Sequence, residues 1–188
     1  RRSWAQTQRA AAHAQIAQSL HDLQAHGLVD DAAAAAQRVQ VVATLEDAVR
    51  GARYVQESGP ETLEVKLATF AALDAAAPAD CVLASSTSAI VASQFTADLA
   101  GRDRCIVAHP VNPPHLVPVV ELCGAPWTSA DTKARADAVM RAVGQVPIDV
   151  KREIDGFVLN RLQVALLTEA FRLVQEGVVS PQDLDHTI

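Results

Sequence analysis

Residues 104–122 have the sequence RCIVAHPVNPPHLVPVVEL, two apolar runs with a proline-rich connection between them. Short apolar runs that are rich in β-branched residues are typical of buried strands. The prolines fix the backbone and remove amide donors, which makes the connection rigid. His109 ends the first run and Glu121 lies within the second. The stretch therefore predicts two strands that hold a histidine beside a carboxylate.

His109 and Glu121 are a candidate acid–base pair. A carboxylate beside a histidine orients the ring, selects its tautomer and stabilises the imidazolium that forms when the ring takes up a proton. A histidine next to a proline is nevertheless more often a hydrogen-bonded turn residue, because paired histidines also occur in structural networks. The two residues alone leave both interpretations open.

Strands and helices alternate along the chain on both sides of this stretch. The predicted helices span residues 6–26, 45–50, 61–77, 88–99 and 131–143, and the predicted strands span 39–43, 52–57, 81–85, 104–109, 117–122 and 146–150. Repeated βα units predict a Rossmann-like α/β fold, a mainly parallel sheet with helices on both faces. Active sites of such sheets lie beyond the carboxyl ends of the strands, where Ser88 and His109 are expected.

The pattern changes after residue 152. Apolar residues recur at helical spacing over residues 157–173, which predicts a long helix. Ser180-Pro181 fits the start of another helix, with the serine as N-cap and the proline at the first position. We therefore predict an α/β domain over residues 1–152 and a helical segment over 153–188.

Composition excludes several functional classes. The 188 residues carry a formal net charge of −6, and 49% of them are hydrophobic, which indicates a globular protein without a nucleic-acid partner. No apolar stretch approaches the roughly 20 residues that span a bilayer, so no membrane partner is expected. The start of the chain does not resemble a signal peptide. Three cysteines without CxxC spacing favour buried thiols of the reducing cytoplasm, with no metal site.

Several motifs together resemble the 3-hydroxyacyl-CoA dehydrogenase superfamily, and within it the branch of lambda-crystallin and L-gulonate 3-dehydrogenase. They are SSTS at 85–88, IVAHPVNPP at 106–114, VVEL at 119–122, GFVLNRLQ at 156–163 and EGVVSPQDLD at 176–185. The resemblance runs from about residue 36 to the last residue. Several motifs in one order with compatible gaps are more specific than any single motif.

The resemblance implies NAD-dependent oxidation of the 3-hydroxyl group of an L-3-hydroxy acid or 3-hydroxyacyl-CoA. By it, His109 is the general base and Glu121 is its charge partner. Ser88 and Asn160 are implied to hydrogen-bond the reacting oxygen. A hydroxyl and an amide can each donate and accept, which the alcohol and ketone states require in turn. Without the resemblance, a helix cap and a loop contact would be the better interpretations of Ser88 and Asn160.

The resemblance also implies NAD as the cofactor. Members of the family open with a strand and a glycine-rich turn that binds the pyrophosphate, followed by a second strand that ends in an acidic residue. Neither motif is found in residues 1–152, so this domain is expected to lack both. Glu61, Lys66 and Ser88 match cofactor-contacting positions of the family, whereas Thr62 replaces an amide that the family carries. From the residues alone, Glu61 and Lys66 would form an ordinary exposed pair at a helix start.

Several substrates are compatible with this chemistry. The motifs around Asn112 and Asn160 favour the gulonate and lambda-crystallin branch. An L-carnitine dehydrogenase and a 3-hydroxyacyl-CoA dehydrogenase of fatty acid metabolism are alternatives, since the same four catalytic positions serve all of them. A non-catalytic, crystallin-like structural protein is a further alternative, but it has no need of all four. The resemblance also implies that residues 1–152 form the NAD-binding, Rossmann-like domain and that residues 153–188 begin an all-helical second domain, through which a homodimer forms.

Overall fold

A computed structural model of the protein describes residues 4–187, which contain one five-stranded sheet. The strands are β1 Tyr54–Glu57, β2 Val82–Ser85, β3 Cys105–Pro110, β4 Val119–Gly124 and β5 Val146–Val150, and they lie in this order across the sheet. β1, β2 and β3 are parallel, β4 is antiparallel to β3, and β5 is parallel to β4. The predicted Rossmann-like, mainly parallel sheet is confirmed.

Helices connect the strands and then continue beyond the sheet. They are α1 Trp4–Ala25, α2 Ala32–Gln37, α3 Leu45–Val49, α4 Leu63–Ala76, α5 Ser93–Thr96, α6 Ala130–Ala142, α7 Leu159–Gln175 and α8 Pro181–Asp185, with a 3₁₀ turn at Arg102–Arg104. Hydroxyl caps satisfy the first free amides of several of them. Ser180, for example, accepts a hydrogen bond from the amide of Asp183, and Pro181 lies in the first turn of α8, as predicted.

Two layers of apolar side chains cover the two faces of the sheet. On one face, Leu83 and Val107 pack into a cluster with Phe70 of α4 and Phe95 of α5, whose ring centroids are 4.6 Å apart. The strand residues that point the other way belong to a second cluster with Ala136 of α6. This alternation follows from the two-residue period of a strand, and it confirms helices on both faces.

The prediction of a strand over residues 39–43 is wrong. This segment has no strand structure, and β1 pairs only with β2 in the described sheet. A β-branched run becomes a strand only when a neighbouring strand completes its backbone hydrogen bonds. Strand propensity alone therefore predicted a strand at residues 39–43 that the structure does not have.

The helix predicted over residues 88–99 is much shorter in the structure, where α5 covers only Ser93–Thr96. The backbone amides before it bond to side chains instead of to a helical turn. The amides of Ser88 and Ala89 donate to Glu61, and the amide of Ile90 donates to the hydroxyl of Thr87. These contacts hold the segment as an open turn at the end of β2.

Helix α7 exposes an apolar stripe. Its members are half to two-thirds exposed: Leu162, Leu166, Leu167 and Phe171. None of the helices in residues 4–187 is long and apolar enough to cross a membrane.

Cys81, Cys105 and Cys123 are free thiols buried in the apolar cluster that contains Phe70 and Phe95. Loss of solvation raises the pKa of Cys105 to about 12 and that of Cys123 to about 11. Because the thiolate is the reactive form, we expect Ellman's reagent to label none of the three at mildly alkaline pH in the folded protein. All three should react once denaturant is added. Rapid labelling before unfolding would contradict this burial.

Candidate active site

The centre of the site is formed by His109 on β3 and Glu121 on β4. The antiparallel register sets these two residues opposite each other, and Nδ1 of His109 lies 2.9 Å from Oε2 of Glu121. Their side chains are only 5% and 3% exposed, respectively. A carboxylate can only accept, so the proton of the neutral ring lies on Nδ1. Nε2 is therefore the ring nitrogen that can take a proton from another group.

Phe157 packs against the histidine ring from the chain that follows β5. The two ring centroids are 5.6 Å apart, and Phe157 is fully buried. Gly156 and Phe157 have φ values of +74° and +48°, which reverses the chain just before α7. Phe157 is the one residue other than glycine with positive φ in the described part of the chain. Such a conformation is unfavourable for a bulky side chain, so the surrounding packing must hold it.

Glu121 also binds the start of α7. Its Oε1 accepts hydrogen bonds from the amides of Val158 and Leu159, at 2.8 and 3.0 Å. A helix leaves its first amides without partners, and its dipole favours a negative charge at that end. The two oxygens of one carboxylate therefore join the histidine to the helix that carries Asn160.

Asn160 is brought next to Ser88, 72 residues away in sequence. Its Nδ2 donates to the backbone oxygen of Ser88 at 2.8 Å. Ser88 lies in the turn that follows β2, and Asn160 lies in the first turn of α7. The structure thus places all four predicted catalytic residues at one edge of the sheet: Ser88, His109, Glu121 and Asn160.

Glu61 organises the turn that contains Ser88. Its Oε1 accepts hydrogen bonds from the hydroxyl of Thr87 and from the amides of Ser88 and Ala89, the latter two at 3.0 and 3.3 Å. Partial burial opposes the charge, but the Thr87 hydroxyl, the Lys66 ammonium and the two amides hold the pKa of Glu61 below its usual range. Glu61 is therefore a charged group at the carboxyl edge of the sheet.

Lys66 lies behind Glu61 and is almost completely enclosed. Its side chain is 1% exposed, and its Nζ lies 2.9 Å from Oε2 of Glu57 and 3.7 Å from Oε2 of Glu61. This differs from the exposed pair that the residues alone would suggest. The structure brings Glu61 and Ser88 together and places Lys66 one layer deeper.

A cavity of about 410 Å³ opens at the same edge and reveals residues that the sequence analysis missed. Its polar lining includes Ser58, Ser86 and Asn112, and the hydroxyl of Ser86 donates to that of Ser58 at 3.1 Å. Hydroxyl and amide groups of this kind suit the ribose and carboxamide of a nicotinamide nucleotide. Ser58 and Ser86 each directly follow a strand, and this position was the signal that could have identified them.

Two family models match consecutive parts of the chain. The model of the 3-hydroxyacyl-CoA dehydrogenase NAD binding domain matches residues 3–154, and that of the C-terminal domain of the same family matches residues 156–188. Together with the sheet topology, the first match defines an NAD-binding, Rossmann-like domain. The chain belongs to the 3-hydroxyacyl-CoA dehydrogenase family, as its motifs predicted.

Similar proteins include lambda-crystallins and L-carnitine dehydrogenases. Lambda-crystallin of Oryctolagus cuniculus is 45% identical over 173 residues, which are 90% of this chain and 54% of that protein. An L-carnitine dehydrogenase of Pseudomonas aeruginosa is 38% identical over 179 residues, which are 95% of this chain and 55% of that protein. The chain thus spans about half the length of these relatives.

Two solved structures with the same fold are dehydrogenases. An NAD⁺-dependent 5-formyl-3-hydroxy-2-methylpyridine 4-carboxylic acid 5-dehydrogenase has a TM-score of 0.81 and 33% identity, with 98% of this chain and 59% of that chain covered. A 3-hydroxybutyryl-CoA dehydrogenase of Escherichia coli has a TM-score of 0.83 and 25% identity, with 92% of this chain and 36% of that chain covered.

Proposed function

We propose that the protein is an NAD-dependent dehydrogenase that oxidises the 3-hydroxyl group of an L-3-hydroxy acid. The observation that carries this proposal is the buried His109–Glu121 pair, with its 2.9 Å contact, at the sheet edge where Ser88 and Asn160 also lie. A base, its charge partner and two hydrogen-bonding groups can remove the proton of an alcohol and bind its oxygen while a cofactor takes up the hydride.

In this reaction the side chains of the protein accept the proton of the substrate hydroxyl and hydrogen-bond its oxygen. Nε2 of His109 accepts the proton of the substrate hydroxyl as the C–H hydride leaves, and the alcohol becomes a ketone. Oε2 of Glu121 stabilises the imidazolium through Nδ1. Ser88 and Asn160 hold the reacting oxygen in both states. Bound NAD⁺ supplies the hydride acceptor.

The cofactor would lie along the carboxyl ends of β1 and β2. We propose that Glu61 and Ser88 contact its nicotinamide half and that Lys66 supports Glu61 from below, because Lys66 is enclosed. Ser58, Ser86 and Asn112 line the adjoining cavity and would bind the nicotinamide ribose or the carboxamide. The described residues therefore fit this half of the dinucleotide.

Among possible substrates we favour a free 3-hydroxy acid of the gulonate type. The similarity to lambda-crystallin supports this choice, and the L-carnitine dehydrogenases, also similar, make L-carnitine the first alternative. A CoA thioester, which would belong to fatty acid metabolism, is the second. A purely structural, crystallin-like role is disfavoured because it does not require Ser88, His109, Glu121 and Asn160 to meet at one edge.

We also propose a cytoplasmic homodimer that associates through the helical domain beginning at residue 153. The exposed apolar stripe of α7 supports an interface there, since such stripes mark protein contacts. The three free cysteines favour a reducing compartment.

The test is NADH formation by the full-length protein, followed by absorbance, with L-gulonate, L-carnitine and L-3-hydroxybutyryl-CoA offered separately. We expect turnover of L-gulonate above that of the other two. Turnover of another of the three would keep the dehydrogenase and reject the substrate choice. If none of them is oxidised and NADH does not bind, the proposed function is rejected.

A further inference from the structure

Glu57, the last residue of β1, is a buried carboxylate that the proposed chemistry does not use. Its Oε2 accepts hydrogen bonds from Nζ of Lys66 at 2.9 Å and from the hydroxyl of Ser85 at 2.7 Å. Its Oε1 accepts from the amide of Gly59 at 2.5 Å. A buried charge is stable only when it is paired and hydrogen-bonded, and this one has three donors from three segments.

Glu57 is charged at neutral pH despite its position. Burial favours the neutral acid, but the hydrogen bonds from Ser85, Lys66 and Gly59 hold the pKa of Glu57 below its usual range. The stabilisation that it supplies is present above the pKa of an unfolded glutamate, about 4.3, and is lost as the pH falls through the lower folded value. The ion pair with Lys66 is therefore intact under ordinary assay conditions.

Lys66 links Glu57 to Glu61. Its ammonium lies within 4 Å of both carboxylates, and the shorter contact, 2.9 Å, is with Glu57. If Glu57 lost its charge, Glu61 would be the remaining carboxylate partner of an enclosed cation. Lys66 would then draw Glu61 away from the turn that Glu61 now holds.

A second path leads from Glu57 to the same turn. The hydroxyl of Ser85, which donates to Glu57, accepts a hydrogen bond from the amide of Thr87 at 3.2 Å. The amide of Ser86 donates to the backbone oxygen of Glu57 at 2.8 Å. Both paths end beside Ser88. In the proposed mechanism Ser88 hydrogen-bonds the reacting oxygen.

We propose that Glu57 is a positioning residue. Its contacts with Lys66 and Ser85 hold Glu61, and the turn after β2 that contains Ser88, in the geometry needed for hydride transfer. Glu57 acts through these neighbours and does not touch the substrate. The proposal rests on the roles given above to Glu61 and Ser88.

The test compares Glu57→Gln with Glu64→Gln in the full-length protein. Glu64 is an exposed carboxylate in the first turn of α4, so the control removes the same charge from the surface. In Glu57→Gln we expect kcat to fall on the order of 100-fold, because a small displacement at a reacting centre has an effect of this size. The KM for the 3-hydroxy substrate should change less. The amide resonances of Ser88 and Ala89 should shift, and NADH binding should weaken. The control should change none of these.

Two further variants complement Glu57→Gln. Ser85→Ala removes one donor and leaves the ion pair, so it serves if Glu57→Gln does not fold, and it should shift the same amides to a smaller extent. The double variant Glu57→Gln/Lys66→Met should lose no more activity than Glu57→Gln, because Lys66→Met acts on a path that Glu57→Gln has already broken. Losses that multiply would overturn the proposal. So would native amide positions and native kcat in Glu57→Gln, or in Ser85→Ala if only that variant folds.

Failure of the proposed function can be told apart from failure of this inference. If the native protein oxidises none of the offered substrates and does not bind NADH, the proposed function fails by itself. The amide resonances of Ser88 and Ala89 then still report whether Glu57 orders the turn.

Discussion

Replacing His109 with glutamine is expected to lower kcat for NAD-dependent alcohol oxidation by about 10² to 10⁴-fold. The variant keeps a side chain that can donate to Glu121, but an amide cannot take the proton from the substrate hydroxyl. NADH affinity should stay close to that of the native protein, because His109 is not among the residues proposed to hold the cofactor. Steady-state NADH formation and NADH fluorescence titration measure the two quantities.

His21→Gln is the matched control for this substitution. His21 is an exposed histidine of α1, so the same chemical change is made away from the site. We expect the control to have native kcat and native NADH affinity. Turnover by His109→Gln equal to that of the control would reject the base assignment. Loss of NADH binding in His109→Gln would instead show that the histidine supports the cofactor site.

The sequence predicted the parts of the site that depend on local pattern. Short apolar runs rich in β-branched residues located β3 and β4, and the proline-rich connection between them implied that His109 and Glu121 would meet. Ser88 was implied by the family motifs, and its position after a strand, where sites of parallel sheets lie, supported it. The family motifs, rather than any periodicity, directed attention to Asn160.

The remaining contacts could not be predicted because they join segments that are distant in the sequence. The bond from Glu121 to the start of α7 depends on the chain reversal at Gly156-Phe157, where a phenylalanine adopts positive φ. The hydrophobic pattern of the sequence does not predict such a turn. Glu57 has the sequence position of an ordinary strand end, and only the fold shows that Lys66 and Ser85 converge on it. The error over residues 39–43 has the same origin, since a strand depends on partners that propensity does not describe.

Glu121→Gln should cause two losses at once, in kcat and in stability. The amide that replaces the carboxylate has one accepting oxygen, whereas Glu121 accepts from His109 with one oxygen and from two backbone amides with the other. Either the histidine or the start of α7 therefore faces an NH₂ group that cannot accept. We expect kcat to fall at least about 100-fold and the free energy of unfolding to fall by about 1–3 kcal/mol.

Comparison with His109→Gln separates the two roles of Glu121. His109→Gln removes the base but leaves Oε1 of Glu121 bound to Val158 and Leu159, so hydrogen exchange of those two amides should stay slow. In Glu121→Gln the exchange should accelerate, while Glu46→Gln, at an exposed position of α3, should change neither exchange nor kcat. If Glu121→Gln reduced kcat with native exchange and native stability, the carboxylate would serve the histidine alone. The placement of Asn160 beside Ser88 would then have to depend on the packing of Phe157 rather than on Glu121.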